Sequence, residues 1–174
     1  MNNLEPKHSA LLDEARARGQ SDTSGIRLCF ELLSLAAAID RDCAARLAPH
    51  RLSEGKFVLL FLLRGHPDGL SPHELATRAG VTRATITGLL DGLERDGFLF
   101  REGGMADRRR IMIRLTQHGR ATAEAMFQEH TNWIATLFSD LNQAEREGLS
   151  ALLGRIWAKT DSGRRAASEP GSAS

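Results

Sequence analysis

Arg83, Thr85 and Thr87 fall within five residues of one another, and Asp107, Arg108 and Arg109 follow further along the chain. Forked guanidinium groups and short hydroxyls suit hydrogen bonding to the base edges and phosphates of a nucleic acid. Arginine reads guanine through two parallel bonds, and threonine offers a hydroxyl to a base or a methyl to thymine. Other chemistries find less to use. The histidines at 8, 50, 66, 73, 118 and 130 show no His-x3-His spacing, and no Cys-x2-Cys occurs, so a zinc site has no basis. There is no Gly-x-Ser-x-Gly nucleophile turn, and Gly103-Gly104 is not set between a strand and a helix as a phosphate loop requires. The expectation is a protein that is not an enzyme and needs neither cofactor nor metal.

Charge is distributed to match. The 174 residues carry 23 Lys and Arg against 22 Asp and Glu, a balance that by itself discourages a nucleic-acid partner. Residues 78–114, however, hold eight arginines against five acids, so positive charge is concentrated around the candidate residues. Apolar residues at 41% and charged residues at 26% describe an ordinary globular chain. No apolar run approaches the ~20 residues that span a bilayer, and residues 1–18 lack the apolar core of a secretory signal. Two cysteines make no disulfide scaffold, which points to a reducing, cytoplasmic setting.

The elements that must hold these residues are legible from periodicity and caps. A polar arm, 1–23, carries one short helix from Leu4 to Arg18. From Ser24, Ile26, Cys29, Phe30, Leu33, Ala37, Cys43 and Leu47 recur at helical spacing until Pro49. A very apolar helix runs from Ser53 to about Arg64. Ser71-Pro72-His73-Glu74 is a capping box, opening a short helix that Gly80 interrupts. Thr82 caps the next helix, which Gly97 closes near Asp96. Ala76, Gly80 and Ile86 then stand as a small contact residue, a turn glycine and a core anchor, the pattern of a helix-turn-helix. With Ile86, Leu89, Leu90 and Leu93 inward, Arg83, Ala84, Thr85, Thr87 and Gly88 are left on the outer face near the helix start, the end that enters a major groove. Two strands, Phe98–Arg101 and Arg110–Leu115, follow, joined by a polar loop. Thr116 caps a long helix carrying Met126, His130, Trp133, Ile134, Leu137, Phe138 and Leu141. Asn142 and Glu145 cap another, carrying Leu149, Leu152, Leu153, Ile156 and Trp157.

Residues 81–97, then Asp107-Arg108-Arg109, then Leu115-Thr116-Gln117-His118-Gly119-Arg120, resemble the MarR family of transcriptional regulators, over roughly residues 24–160. The resemblance implies a mainly α homodimer. Each subunit has a winged helix-turn-helix, one β-hairpin wing, and long N- and C-terminal dimerisation helices. It maps the wing arginine that enters a minor groove to Arg109, with Asp107 as the carboxylate that holds it. A narrow minor groove carries a focused negative potential that favours a guanidinium. The expected segments are an arm, 1–23; a dimerisation helix, 24–52; the winged domain, 53–118; dimerisation helices, 119–160; and a disordered tail, 161–174. The partner is double-stranded DNA, read as a pseudo-palindromic operator by a two-fold dimer.

The resemblance also implies a signal. Relatives bind small anionic or phenolic effectors between dimer helices and winged domain, and one subset senses peroxides through a cysteine in the first helix. Leu28-Cys29-Phe30 resembles that subset, but its tyrosines are absent, with Cys43 and Glu54 in the expected places of two of them. A cysteine on an apolar face without a charged partner has a raised pKa and is inert, so Cys29 reads as a core residue. A thiol sensor is the alternative. Residues 52–60 and the arm resemble the urate-responsive branch, whose ligand arginines map to Arg108 and Arg120. Its tryptophan is missing and its acidic residue falls at Phe57. The expectation is therefore an aromatic or otherwise anionic effector, held by arginine and packed on Phe57, with His50 and Arg51 in the same cleft. A winged-helix protein-interaction module without DNA binding is the remaining reading, opposed by Arg83, Asp107 and Arg109.

Overall fold

The computed structural model describes residues 4–103 and 111–168 and contains eight α-helices and one hairpin among them. The chain divides into two compact units, Met1–Phe127 and Gln128–Ser174. Among the described residues no helix is long and apolar enough to cross a membrane.

The first unit begins with α1 (Pro6–Ala17), which has proline in its first turn, and α2 (Ser24–Leu47). The polar arm does not hang free. His8 and Leu12 bury one side of α1, and the His8 ring stacks on Phe30 of α2 at 4.8 Å. The Oγ of Ser34 lies 2.9 Å from His8 Nδ1 and accepts the Glu5 amide at 3.0 Å. A single 3-10 turn (Ala48–His50) follows α2 and ends at Arg51, which takes the left-handed φ of 58°. Ser53 then caps α3 (Glu54–Arg64), whose Leu59, Leu60 and Leu63 form the centre of the core.

α4 (Pro72–Ala79) and α5 (Arg83–Arg95) form the helix-turn-helix. Ser71 and Glu74 make both bonds of the expected capping box. Gly80 adopts φ 65°, where a side chain would be strained. Its amide and that of Val81 return to Thr77 and Ala76, satisfying two carbonyls at the end of α4. The wing is β1 (Leu99–Gly103) paired antiparallel with β2 (Ile111–Leu115), in the register Leu99 to Leu115 and Gly103 to Ile111. The first strand begins one residue later than the sequence pattern indicates, because the Phe98 amide is bonded back to Leu93 and closes α5.

α6 (Gln117–Leu137) starts at Thr116, whose hydroxyl donates to the Gly97 carbonyl at 2.7 Å and accepts the Gly119 amide at 2.9 Å. That turn is pressed against the entry to the wing. A Cβ at Gly119 would lie 1.8 Å from the Phe98 carbonyl oxygen, so only glycine fits.

In the second unit, Asn142 and Glu145 cap α7 (Gln143–Trp157) with both reciprocal bonds. None of its residues is buried, and Leu149, Leu152, Leu153, Ile156 and Trp157 lie exposed. The sequence reading of a disordered tail from 161 is corrected over its first half: α8 spans Asp161–Ser168. The Thr160 hydroxyl accepts the Gly163 amide at 3.0 Å and Asp161 sits in the first turn, a local cap that outweighs the Ala/Ser/Gly composition. Residues 169–174 lie outside the described residues.

Candidate nucleic-acid interface

The outer face of α5 is what its spacing requires. Ile86, Leu90 and Leu93 are buried, while Thr82, Arg83, Ala84, Thr85, Thr87 and Gly88 are all exposed. The first turn is stiffened by its own threonines. Thr82 Oγ1 accepts the Thr85 amide at 3.2 Å and lies 2.9 Å from Thr85 Oγ1. Thr87 Oγ1 donates to the Arg83 carbonyl at 2.9 Å. That bond commits the hydroxyl proton of Thr87 to its own helix. Outward, Thr87 therefore presents an acceptor oxygen and a methyl group, the pair that suits an exocyclic amine or a thymine methyl. No Cβ contact exists within 4 Å of Gly88, so a backbone or phosphate can approach the helix there.

Charge is sorted around this face. Arg101 of the wing pairs with Asp91 at 2.5 Å and Glu94 at 3.1 Å, both on α5, and Arg114 pairs with Glu102 at 2.9 Å. These exposed pairs add little stability. They tie the base of the wing to the recognition helix and cancel three of the local acids. Arg83, by contrast, makes no side-chain ion pair or hydrogen bond among the described residues. It lines a groove of about 360 Å³ with Ser71, His73, Thr87 and Ile111, between the start of α4, α5 and the wing. Asp107, Arg108 and Arg109 lie outside the described residues.

The expected effector residues are only partly brought together. His50 and Arg51 line one cleft of about 280 Å³ with Pro49, Asp96, Phe98, His118 and Thr122. Phe57 is not among its lining residues: it is half-buried against the main core. Arg120 is exposed on α6, and it too is absent from the cleft. Reasoning from sequence missed His118, whose ring stacks on Phe98 at 4.9 Å. Asp96 is held below the usual carboxylate range, chiefly by a 2.7 Å bond from Lys56 Nζ and further by the charges of Lys56, Arg51 and Arg95, against the effect of burial.

The expectation of a core cysteine at Cys29 is corrected. Cys29 is exposed on α2 and is not a core residue, since the apolar face that carries it, with Leu28 and Leu33, is uncovered in the single chain. Cys43 is the partly buried one. Burial pushes its thiol up, and the nearby negative charges of Glu54 and Asp40 push it further. Fourteen residues of continuous α2 part the two cysteines by ~21 Å, far beyond disulfide reach.

Helix, glycine turn, exposed polar helix and paired hairpin together define a winged helix-turn-helix. Residues 52–111 match the model of the MarR family. The chain is 36% identical over 153 residues to the transcriptional repressor YetL of Bacillus subtilis (strain 168), covering 87% of this chain and 92% of that protein. It is 32% identical over 141 residues to the transcriptional regulator PecS of Dickeya dadantii (strain 3937), covering 80% and 85%. The fold superposes on the Staphylococcus aureus MepR–DNA complex with TM-score 0.64 and 25% identity, over 74% of this chain and 95% of that one. The chain belongs to the MarR family of transcriptional regulators.

Proposed function

We propose that this protein is a sequence-specific DNA-binding transcriptional regulator, acting in the cytoplasm as a homodimeric repressor that a small aromatic or anionic effector releases. The observation that carries this reading is the solvent-facing start of α5, where Arg83, Thr85, Thr87 and Gly88 stand together on one exposed face, the threonines bonded only within their own helix start and the Arg83 guanidinium making no ion pair among the described residues. Relatives named as transcriptional repressors and regulators, and a neighbour crystallised with DNA, support it. For Asp107, Arg108 and Arg109 the support is the sequence motif. Homodimerisation is supported by apolar faces too large to leave in water. Leu28, Leu33 and Leu35 of α2 are exposed, as are Ile134 and Leu137 of α6, Phe138 just after it, and the apolar row of α7.

A mobility shift on the intergenic DNA beside the gene tests the reading. Binding should weaken steeply with salt and resist an excess of unrelated duplex. Equal affinity for both duplexes, or none for either, would refute it.

A further inference from the structure

We propose that Lys56 is the positioning residue of the recognition helix: its ammonium ties the end of α2 to the end of α5 and so fixes the angle at which α5 meets DNA. That DNA is the target rests on the regulator reading above; the tie itself does not.

The ammonium reaches both ends at once. Lys56 Nζ donates to Asp96 Oδ2 at 2.7 Å and to the Arg51 carbonyl at 3.3 Å. Asp96 is the residue that ends α5, and Arg51 is the left-handed residue that ends the turn after α2. Lys56 itself stands in the first turn of α3, so three elements meet at one nitrogen. Its side chain and that of Asp96 are only 20% and 19% exposed. The pair is therefore less screened by water and salt than the pairs that Arg101 of the wing makes with α5.

The surface of α5 is cut to admit the lysine. A Cβ at Gly92 would lie 2.9 Å from Lys56 Cε and 3.2 Å from Nζ, so the stem crosses the helix where only a hydrogen stands. Glycine is a poor residue inside a helix, and Gly92 is not at a positive φ that would call for it. The crossing lysine supplies the reason. About one turn earlier the two helices approach closely again, where a Cβ at Gly55 would stand 3.2 Å from the Leu89 side chain.

Apolar packing holds α5 less directionally. Ile86, Leu90 and Leu93 bury one side of it, and burial resists lifting the helix away more than it resists a tilt. With 13 residues α5 is ~20 Å long, so a tilt of ~10° about its C-terminal end carries its first turn by roughly 3 Å. A displacement of that size takes Arg83 and Thr87 out of hydrogen-bond reach of base edges. In a two-fold dimer the two copies err symmetrically, and the fault is felt in the spacing of the half-sites.

Two variants of the full chain break the tie differently. Lys56→Met removes the ammonium, and Gly92→Ala displaces the lysine while giving α5 a better helix former. Anisotropy compares them with wild type on the intergenic operator, on the same duplex with a base pair inserted at its centre, and on unrelated duplex. Each variant should bind the operator about fivefold or more less tightly, and the unrelated duplex within about twofold of wild type. Each should also lose most of the wild-type preference for the uninserted operator. Gly92→Ala should do so without lowering the thermal midpoint, which separates positioning from folding. In the DNA-free chain, amide exchange at Leu52 and Asp96, on opposite sides of the ammonium, should accelerate in Lys56→Met while Leu75 of α4 keeps its rate. Wild-type affinity and insertion penalty in either variant, a uniform loss on all three duplexes, or acceleration at Asp96 alone would overturn the positioning role. A wild type that prefers no operator would instead strike the regulator reading, while the exchange measurement still decides the tie.

Discussion

Thr82, Thr85 and Thr87 give the recognition helix a rigid start while leaving oxygens and methyl groups outward, so single substitutions there should separate folding from reading. Arg83→Ala removes an exposed guanidinium that makes no ion pair among the described residues. Operator affinity should fall by ~1–3 kcal/mol with the thermal midpoint unchanged, as anisotropy and circular dichroism would record. Unchanged affinity would take Arg83 out of the interface. Gly88→Ala should do the reverse to stability. Nothing lies within 4 Å of the added methyl, and alanine favours a helix by roughly 1 kcal/mol, so the protein should melt higher. If DNA approaches at Gly88, the same variant should bind operator less tightly; tighter or equal binding would place the contact elsewhere. At Gly119 the added methyl meets the Phe98 carbonyl, and alanine should destabilise by about 1–3 kcal/mol or more in urea titration. A neutral result would mean that the start of α6 shifts freely against the wing. Caps such as Ser71 with Glu74 and Asn142 with Glu145 were legible from sequence because both partners lie three residues apart. The stacking of His118 on Phe98 and of His8 on Phe30 was not, since each depends on where separate elements meet.

Helices and strands were mostly foreseeable from period and punctuation, and their docking was less so. The helix-turn-helix and wing follow the order of small residue, turn glycine and alternating strands. The arm is the clearest departure. Its composition reads as a polar extension, yet α1 is held on α2 by Leu12, His8 and an ion pair from Arg41 to Glu5 at 2.7 Å. The Arg41 bond, with that of Lys7, lowers the Glu5 carboxyl from 4.5 to about 2 despite its desolvation. The unfolded chain therefore takes up this proton more readily than the folded one. The stabilisation is complete above pH 4.5 and fades as pH falls toward 2. In Glu5→Gln, unfolding free energy should lie below wild type at pH 6, and the gap should close on acidification. A gap that is constant with pH would mean that the ion pair does not hold the arm. α8 was hidden for a related reason, because a single threonine cap decided a segment whose composition reads as disordered.

The single chain leaves apolar rows on α2 and α7, and Cys29 beside the first of them, in water, and these are the faces that the proposed second copy would cover. Their apolar periodicity was plain in the sequence. What they cover was not, because spacing alone does not distinguish an intramolecular core from an interface. Sedimentation at micromolar concentration should give a dimer, and a stable folded monomer would remove the basis for a two-fold reader. Such a dimer presents two copies of α5 to successive major grooves, so symmetry dictates the DNA site as firmly as any side chain does. Hydroxyl-radical footprinting on the intergenic DNA beside the gene tests this most directly. The account predicts two inverted half-sites with centres about 10 base pairs apart, protected together. Protection of a lone half-site, direct repeats, or no protection at all would contradict it.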